Sequence, residues 1–278
     1  MKFGVALGAL NAHFHLDAVA AAEVLGYESV WLPEHLVFPV VMSRSPRPGE
    51  DHPPVPATTP VFDAFTYLAF IAARTERLRL GTHVYNLGLR HPFVAARGAA
   101  TLDIVSNGRF EFGIGASWLE EEWVAAGLDF STRGRRVDES MAVCRRLWTE
   151  PEIEHHGEFF DFATVAFAPK PVQRGGPPVL VGGESRAALR RAAILGDGWI
   201  GMGHTVESAA EPIAMLRALR ADSPRADEPF TICLGGTVAS RDEIARWEEI
   251  GVDRMIGSPW RRSPEAVDAL GRYADLVL

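Results

Sequence analysis

Short apolar runs and helix-patterned segments alternate along almost the whole chain, and this alternation restricts the fold more than any other feature. Strand-like runs occupy residues 3–8, 29–35, 78–85, 109–115, 177–183, 198–203, 230–236 and 253–257. Helical patterns follow each in turn, over residues 16–26, 62–76, 91–108, about 134–148, 185–196, about 207–221, about 242–250 and from about 264 onward. A strand that reaches its neighbour through a helix pairs with it in parallel, because the crossover brings the chain back in the same direction. Eight such units with no dinucleotide fingerprint favour a closed (β/α)8 TIM barrel over an open doubly wound sheet. The expected architecture is therefore α/β, one barrel domain over residues 1–278, with two departures. Residues 39–60, after the second strand, hold seven of the nineteen prolines. That density forbids a helix, and a loop of this length in a compact domain is usually a lid or a binding loop. Residues 152–173 are aromatic and proline-bearing and read as a hairpin-like insertion before the fifth barrel strand.

Composition narrows the function classes. The 278 residues are 47% hydrophobic and 23% charged, an ordinary globular balance. No apolar run approaches the ~20 residues that span a bilayer. The first ten residues, "MKFGVALGAL", lack a secretory layout and read as a first strand, so a cytoplasmic protein is expected, with no membrane partner. Cys144 and Cys233 stand far apart in apolar surroundings and read as small core residues of a reducing compartment. A formal net charge of −8 argues against a nucleic-acid partner. Basic residues gather only locally, at Arg133, Arg135 and Arg136 and again at Arg186, Arg190 and Arg191. A local basic site in an acidic protein suits a small anionic ligand. No His or Cys spacing suggests a zinc site, so no metal is expected, and no G-x-S-x-G elbow supports a serine hydrolase.

In a barrel of this kind the active site lies at the carboxyl ends of the strands. Those ends are polar and glycine-rich here. The second strand runs out into Glu34 and His35, the third into Thr82, His83, Val84, Tyr85 and Asn86, and the fourth into Gly113, Ile114, Gly115, Ala116, Ser117 and Trp118. The fifth runs into Gly182, Gly183, Glu184 and Ser185, and the sixth carries Trp199 and ends at His204. Glu34 and His35 are either a loop-ordering pair or an acid–base pair at the rim of a pocket. The turn at Gly182–Ser185 opens a helix, whose unpaired N–H groups and positive dipole end favour an anion, while Ser185 is either a plain N-cap or a ligand hydroxyl.

These residues, taken together, resemble the luciferase-like flavin and deazaflavin oxidoreductases. The resemblance rests on "AAEVLGYESVWLPEHL" (21–36), residues 78–128 with "GTHVYNLGLRHP" and "FGIGASW", "RGRRVDESMAVCRRLWTE" (133–150), "HGEFFDF" (156–162) and residues 169–203 with "VGGESRAALRRAA" and "LGDGWIGMG". The "RHP", "HGEFFDF" and "LRRAA–LGDGW" pieces most resemble the actinobacterial branch that uses coenzyme F420. The resemblance implies a tricyclic cofactor over the strand ends and a non-prolyl cis peptide at His83–Val84. It implies a cofactor bed made by Thr82, His83, Val84, Gly113, Gly115, Ala116 and Ser117. The cofactor phosphate is expected at Gly182, Gly183, Glu184, Ser185 and Arg133, and the substrate beside Trp118, Asn86 and Trp199. His35 is expected to assist hydride or proton transfer, with Glu34 as its orienting partner. The acidic tail of F420 favours basic residues at the mouth, for which Arg44, Arg47 and Arg186 are available.

One departure stands out. Where some sugar-phosphate dehydrogenases of this family carry a catalytic glutamate, this chain has Trp118, with Glu120 and Glu121 just beyond. That speaks against a sugar phosphate and for a small apolar or aromatic substrate. The reading is an F420-dependent oxidoreductase acting on a small molecule, as a homodimer. The alternatives are an FMN-dependent monooxygenase using oxygen and a non-catalytic flavin-binding protein on the same barrel.

Overall fold

A computed structural model describes residues 1–43, 45 and 55–278. The chain begins β1 (Lys2–Ala6), α1 (His15–Leu25), β2 (Ser29–Leu32), α2 (Ala64–Ala72), β3 (Arg79–Thr82), β4 (Tyr85–Asn86), α3 (Pro92–Val105) and β5 (Phe110–Gly115). It continues α4 (Glu120–Ala125), α5 (Arg133–Thr149), β6 (Glu152–His156), β7 (Asp161–Ala166), β8 (Val179–Gly182) and α6 (Arg186–Leu195). It closes with β9 (Gly198–Met202), α7 (Val206–Ala221), β10 (Thr231–Gly235), α8 (Arg241–Glu249), β11 (Arg254–Gly257) and α9 (Ala266–Val277).

Among the described residues, eight parallel strands close into a barrel. Their order is β3-β2-β1-β11-β10-β9-β8-β5, and β5 returns to β3 through Leu80 opposite Phe110 and Gly81 opposite Glu111. The short β4 lies against the end of β5, with Tyr85 opposite Ile114 and Asn86 opposite Gly115. The expected TIM barrel is thus present. The insertion before the fifth barrel strand is the antiparallel pair β6–β7. Of the proline-rich loop, residues 44 and 46–54, including Arg44 and Arg47, lie outside the described residues.

The strand pleat sorts side chains into two layers, because neighbours along a strand point to opposite faces. Trp31, Leu180, Ile200, Cys233 and Ile256 fill the barrel, with Ala6 and Val84 packed against them. The alternating partners Val179, Val181 and Trp199 join the larger core between the strands and the helices. The barrel filling depends on one absent side chain: a Cβ on Gly81 would lie 2.1 Å from the Trp31 ring. Below Trp31 the barrel floor is closed by ions, with Arg254 bonded to Glu111 and Glu28, and Arg79 to Glu111. Cys144 and Cys233 are buried and unlinked.

Strand and helix ends follow local chemistry. β2 stops at Leu32, not at His35, because Pro33 has no N–H to continue the ladder. α1 ends at Gly26 in the left-handed region (φ 90°), as a C-cap requires. α3 starts with Pro92 at its first turn behind the His91 cap, and α6 starts on the Ser185 hydroxyl, which accepts from the Ala188 N–H. α4 is an element that the hydrophobic pattern does not announce: six residues opened by three glutamates. No helix among the described residues is long and apolar enough to cross a membrane.

Candidate active site

The strand ends surround a cavity of about 500 Å³. Glu34 and His35 enter it from β2, and His83, Val84 and Asn86 from the β3–β4 junction. Gly115, Ala116, Ser117 and Trp118 enter from β5, Arg133 from α5, and Gly182, Gly183, Glu184 and Ser185 from the β8–α6 turn. Volume and lining suit a small-molecule site, which is usually a mostly apolar hollow with a few placed polar groups.

The floor is Val84. The peptide between His83 and Val84 is cis. Val84 lies between two strands whose nearest residues are glycines: a Cβ on Gly115 would meet its Cγ2 at 2.7 Å and one on Gly182 its Cγ1 at 2.9 Å. Gly182 therefore makes room for Val84 and not directly for a ligand. His83 stands above Trp31 with ring centroids 6.3 Å apart. Its Nε2 is buried with no hydrogen-bond partner among the described residues. Burial pushes the His83 imidazole down to about 4, so it is neutral at physiological pH.

The β8–α6 turn forms one end of the cavity. Gly183 holds φ 121°, a conformation that side chains resist, and Ser185 caps α6. Arg133 lies across the Phe130 ring at 3.9 Å on the same side of the cavity. Arg191 also lines the cavity, tied to Asp138 and to the Gly134 carbonyl. Glu184 turns away from this end: its carboxylate accepts from the Met202 N–H at 2.8 Å and pairs with His204 at 2.8 Å, so it braces the turn against β9. Replacing Gly183 by valine forces the turn out of its backbone conformation. The expected result is a folded protein, by circular dichroism, with cofactor affinity reduced more than about tenfold, which is about 1.4 kcal/mol. Unchanged affinity in a folded Gly183→Val protein would remove this turn from the site.

The acid–histidine pair is arranged differently from the sequence expectation. Glu34 is 2% exposed, and the hydrogen bonds of its carboxylate go to groups other than His35. It forms an ion pair with Arg90 and accepts from the Asn86 N–H at 2.8 Å, joining the end of β2 to β4. Burial raises its pKa above the usual carboxylate range, and the Arg90 charge and hydrogen bond oppose that rise. The partner of His35 is Glu122 on α4, whose carboxylate lies 3.0 Å from Nδ1. The His35 ring is flanked by Phe38 at 4.5 Å and Trp118 at 5.7 Å between centroids. The imidazole so held can exchange a proton with whatever occupies the cavity, beside an apolar, aromatic wall.

Three expected site residues lie elsewhere. Thr82 is fully buried in the barrel wall, its hydroxyl donating to the Gly113 carbonyl at 2.6 Å. Gly113 faces that contact, where a Cβ would come within 1.9 Å of the Thr82 carbonyl oxygen. Trp199 is 0% exposed, because the pleat sends Ile200 into the barrel and Trp199 out among the helices. Its indole N–H donates to the Gly183 carbonyl at 2.9 Å and so supports the β8–α6 turn from behind. Conversely, Glu122, Arg90 and Phe38 border or support the cavity with no signal for this in the sequence, whereas Arg191 belongs to a basic cluster that the sequence does mark. Arg186 is exposed at the start of α6. Among the described residues no group of three or more His, Cys, Asp or Glu is placed to hold a metal ion.

Comparison with known proteins identifies the family and the fold. The profile of the luciferase-like monooxygenase family matches residues 1–276. An uncharacterised protein of Mycobacterium tuberculosis is 32% identical over 259 residues, covering 92% of this chain and 88% of its own. Two solved structures share the fold over nearly their whole length. The monooxygenase RslO1 of Streptomyces bottropensis superposes with a TM-score of 0.78 at 22% identity, covering 100% of this chain and 98% of that one. The coenzyme F420-dependent tetrahydromethanopterin reductase of Methanopyrus kandleri superposes with a TM-score of 0.77 at 14% identity, covering 98% and 97%.

Proposed function

The chain belongs to the luciferase-like monooxygenase family, and on that premise we propose that it is an F420-dependent oxidoreductase acting on a small apolar or aromatic substrate. The observation that carries this reading is one cavity with an anion turn at one end and a braced imidazole at the other, joined by the Val84 floor. The residues fit a phosphorylated tricyclic ring. Val84 between its two glycines offers a flat apolar bed. The Gly183–Ser185 turn and Arg133 would hold the phosphate, and exposed Arg186 suits the acidic tail of F420.

When bound, such a cofactor supplies a carbon that gives or takes a hydride. The protein supplies the rest. His35 takes or returns the proton at the substrate heteroatom as the hydride moves at carbon. Phe38 and Trp118 keep that proton path apolar, and Trp118 supports an apolar or aromatic substrate over a sugar phosphate. A braced imidazole also speaks against mere cofactor storage, which needs no proton carrier.

The second reading is an FMN-dependent monooxygenase on the same site, which the 28% identity to the FMNH2-dependent dimethylsulfone monooxygenase of Pseudomonas putida favours. Titration of the purified protein with F420 and with FMN, followed by the fluorescence of its seven tryptophans, separates the two. Saturation by F420 at micromolar concentration with weak or no binding of FMN is expected. Tight FMN carried through purification from a host that lacks F420 would overturn the F420 reading.

A further inference from the structure

Glu122 is a fully buried carboxylate in the first turn of α4, and no hydride or phosphate task at the cavity uses it. A buried carboxylate is costly unless its oxygens are fully hydrogen-bonded. Here they are. Oε1 accepts from the backbone N–H groups of Leu36 and Val37, and Oε2 lies 3.0 Å from His35 Nδ1. With Oε2 accepting here as Oε1 does from the two backbone N–H groups, Nδ1 is the donor and carries the proton. A neutral imidazole has one N–H; with it on Nδ1, the lone pair is on Nε2. Phe38 and Trp118 flank the ring and hold it from turning over. No described residue bonds to Nε2, and His35 lines the cavity.

We propose that Glu122 is the positioning residue of this site, fixing His35 in the tautomer whose Nε2 lone pair is presented to the cavity. The proposal rests on His35 being the proton carrier of the proposed reaction. It gives Glu122 the role that the sequence order suggested for Glu34, which is spent on Arg90 and Asn86.

The isosteric amide distinguishes this role from simple loop ordering. In Glu122→Gln the amide oxygen stays with the Leu36 and Val37 N–H groups, so the NH2 takes the place of Oε2 and donates to His35 Nδ1. The imidazole proton is then forced onto Nε2, and the cavity meets a donor in place of an acceptor. The backbone anchor is unchanged.

The test is 15N NMR of the full-length protein with labelled histidine at about pH 8, where a free imidazole is neutral. The His35 signals are assigned by their loss in His35→Gln. Wild type and Glu122→Asp are expected to show a protonated Nδ1, and Glu122→Gln a bare Nδ1 with the proton on Nε2. In single turnover with F420, Glu122→Gln should slow the chemical step by about 10²–10⁴-fold, the scale of a lost acid or base. Its F420 affinity should be unchanged, and Glu122→Asp should recover part of the rate. A bare Nδ1 in the wild type, or the same tautomer in Glu122→Gln, overturns the proposal. If Glu122→Gln fails to fold, the wild-type spectrum alone decides. The spectra need no cofactor, so failure of F420 to bind defeats the proposed function and leaves the tautomer result standing.

Discussion

With His35 replaced by alanine, hydride transfer in a single turnover at saturating cofactor is expected to slow by about 10²–10⁴-fold. The substrate heteroatom then loses its proton partner, because the two carboxylates that line the cavity are committed. Glu34 is held by Arg90 and Asn86, and Glu184 by Met202 and His204. Cofactor affinity should change little, since the Val84 floor and the Gly183–Ser185 turn belong to other strands. A His35 that merely ordered the loop after β2 would give a different pattern. Rate and affinity would fall together, and stability with them, because the chain at Leu36 and Val37 is anchored through the same carboxylate of Glu122. A near-wild-type rate in His35→Ala would take His35 out of the chemistry.

Arg90→Met is expected to lower stability by roughly 3–5 kcal/mol, the usual cost of leaving one member of a buried ion pair alone. Glu34 keeps its place at 2% exposure but loses its counter-charge and one hydrogen bond. In a chain of this size that corresponds to a fall in Tm of roughly 10 °C. The loss should grow with pH. Burial already raises the Glu34 pKa, and Arg90 is the group that opposes the rise. Without it the folded state holds a proton that the unfolded state has released, above the unfolded glutamate pKa of about 4.3. Stability then falls as pH rises through that window. The variant should therefore unfold more easily at neutral pH than at about pH 5, and Glu34→Gln in the same chain should restore part of the Tm. Thermal unfolding of wild type, Arg90→Met and the double variant at both pH values measures this. An unchanged Tm would mean that the pair supports neither β2 nor β4.

The location of the site was legible in the sequence, because eight strand–helix units leave one face for the polar strand ends. His35, Val84, Trp118, Arg133 and the Gly183–Ser185 turn all reach that face as the pattern implies. Residue-level assignments failed where the pleat decides. Trp199 and Ile200 are neighbours in a run of apolar residues, and only the barrel register shows that Ile200 turns in and Trp199 out. Thr82 likewise looks like a strand-end ligand until its hydroxyl is found on Gly113. The pairing of acids was beyond reach for another reason. Glu34 adjoins His35 in sequence, yet Glu122, 87 residues further on, holds the imidazole. A short helix opened by three glutamates signals a helix N-terminus, with nothing in its spacing to say which carboxylate turns inward.

In the proposed function one cavity holds the cofactor between the Val84 floor and the α6 turn, with His35 at the reacting edge. A crystal structure of the protein with oxidised F420 tests it most directly. The ring is expected against Val84, the phosphate within hydrogen-bonding distance of the Gly183–Ser185 turn and Arg133, and the His35 imidazole facing the ring. A cofactor bound elsewhere, or in this cavity with its phosphate away from the α6 turn, would contradict it.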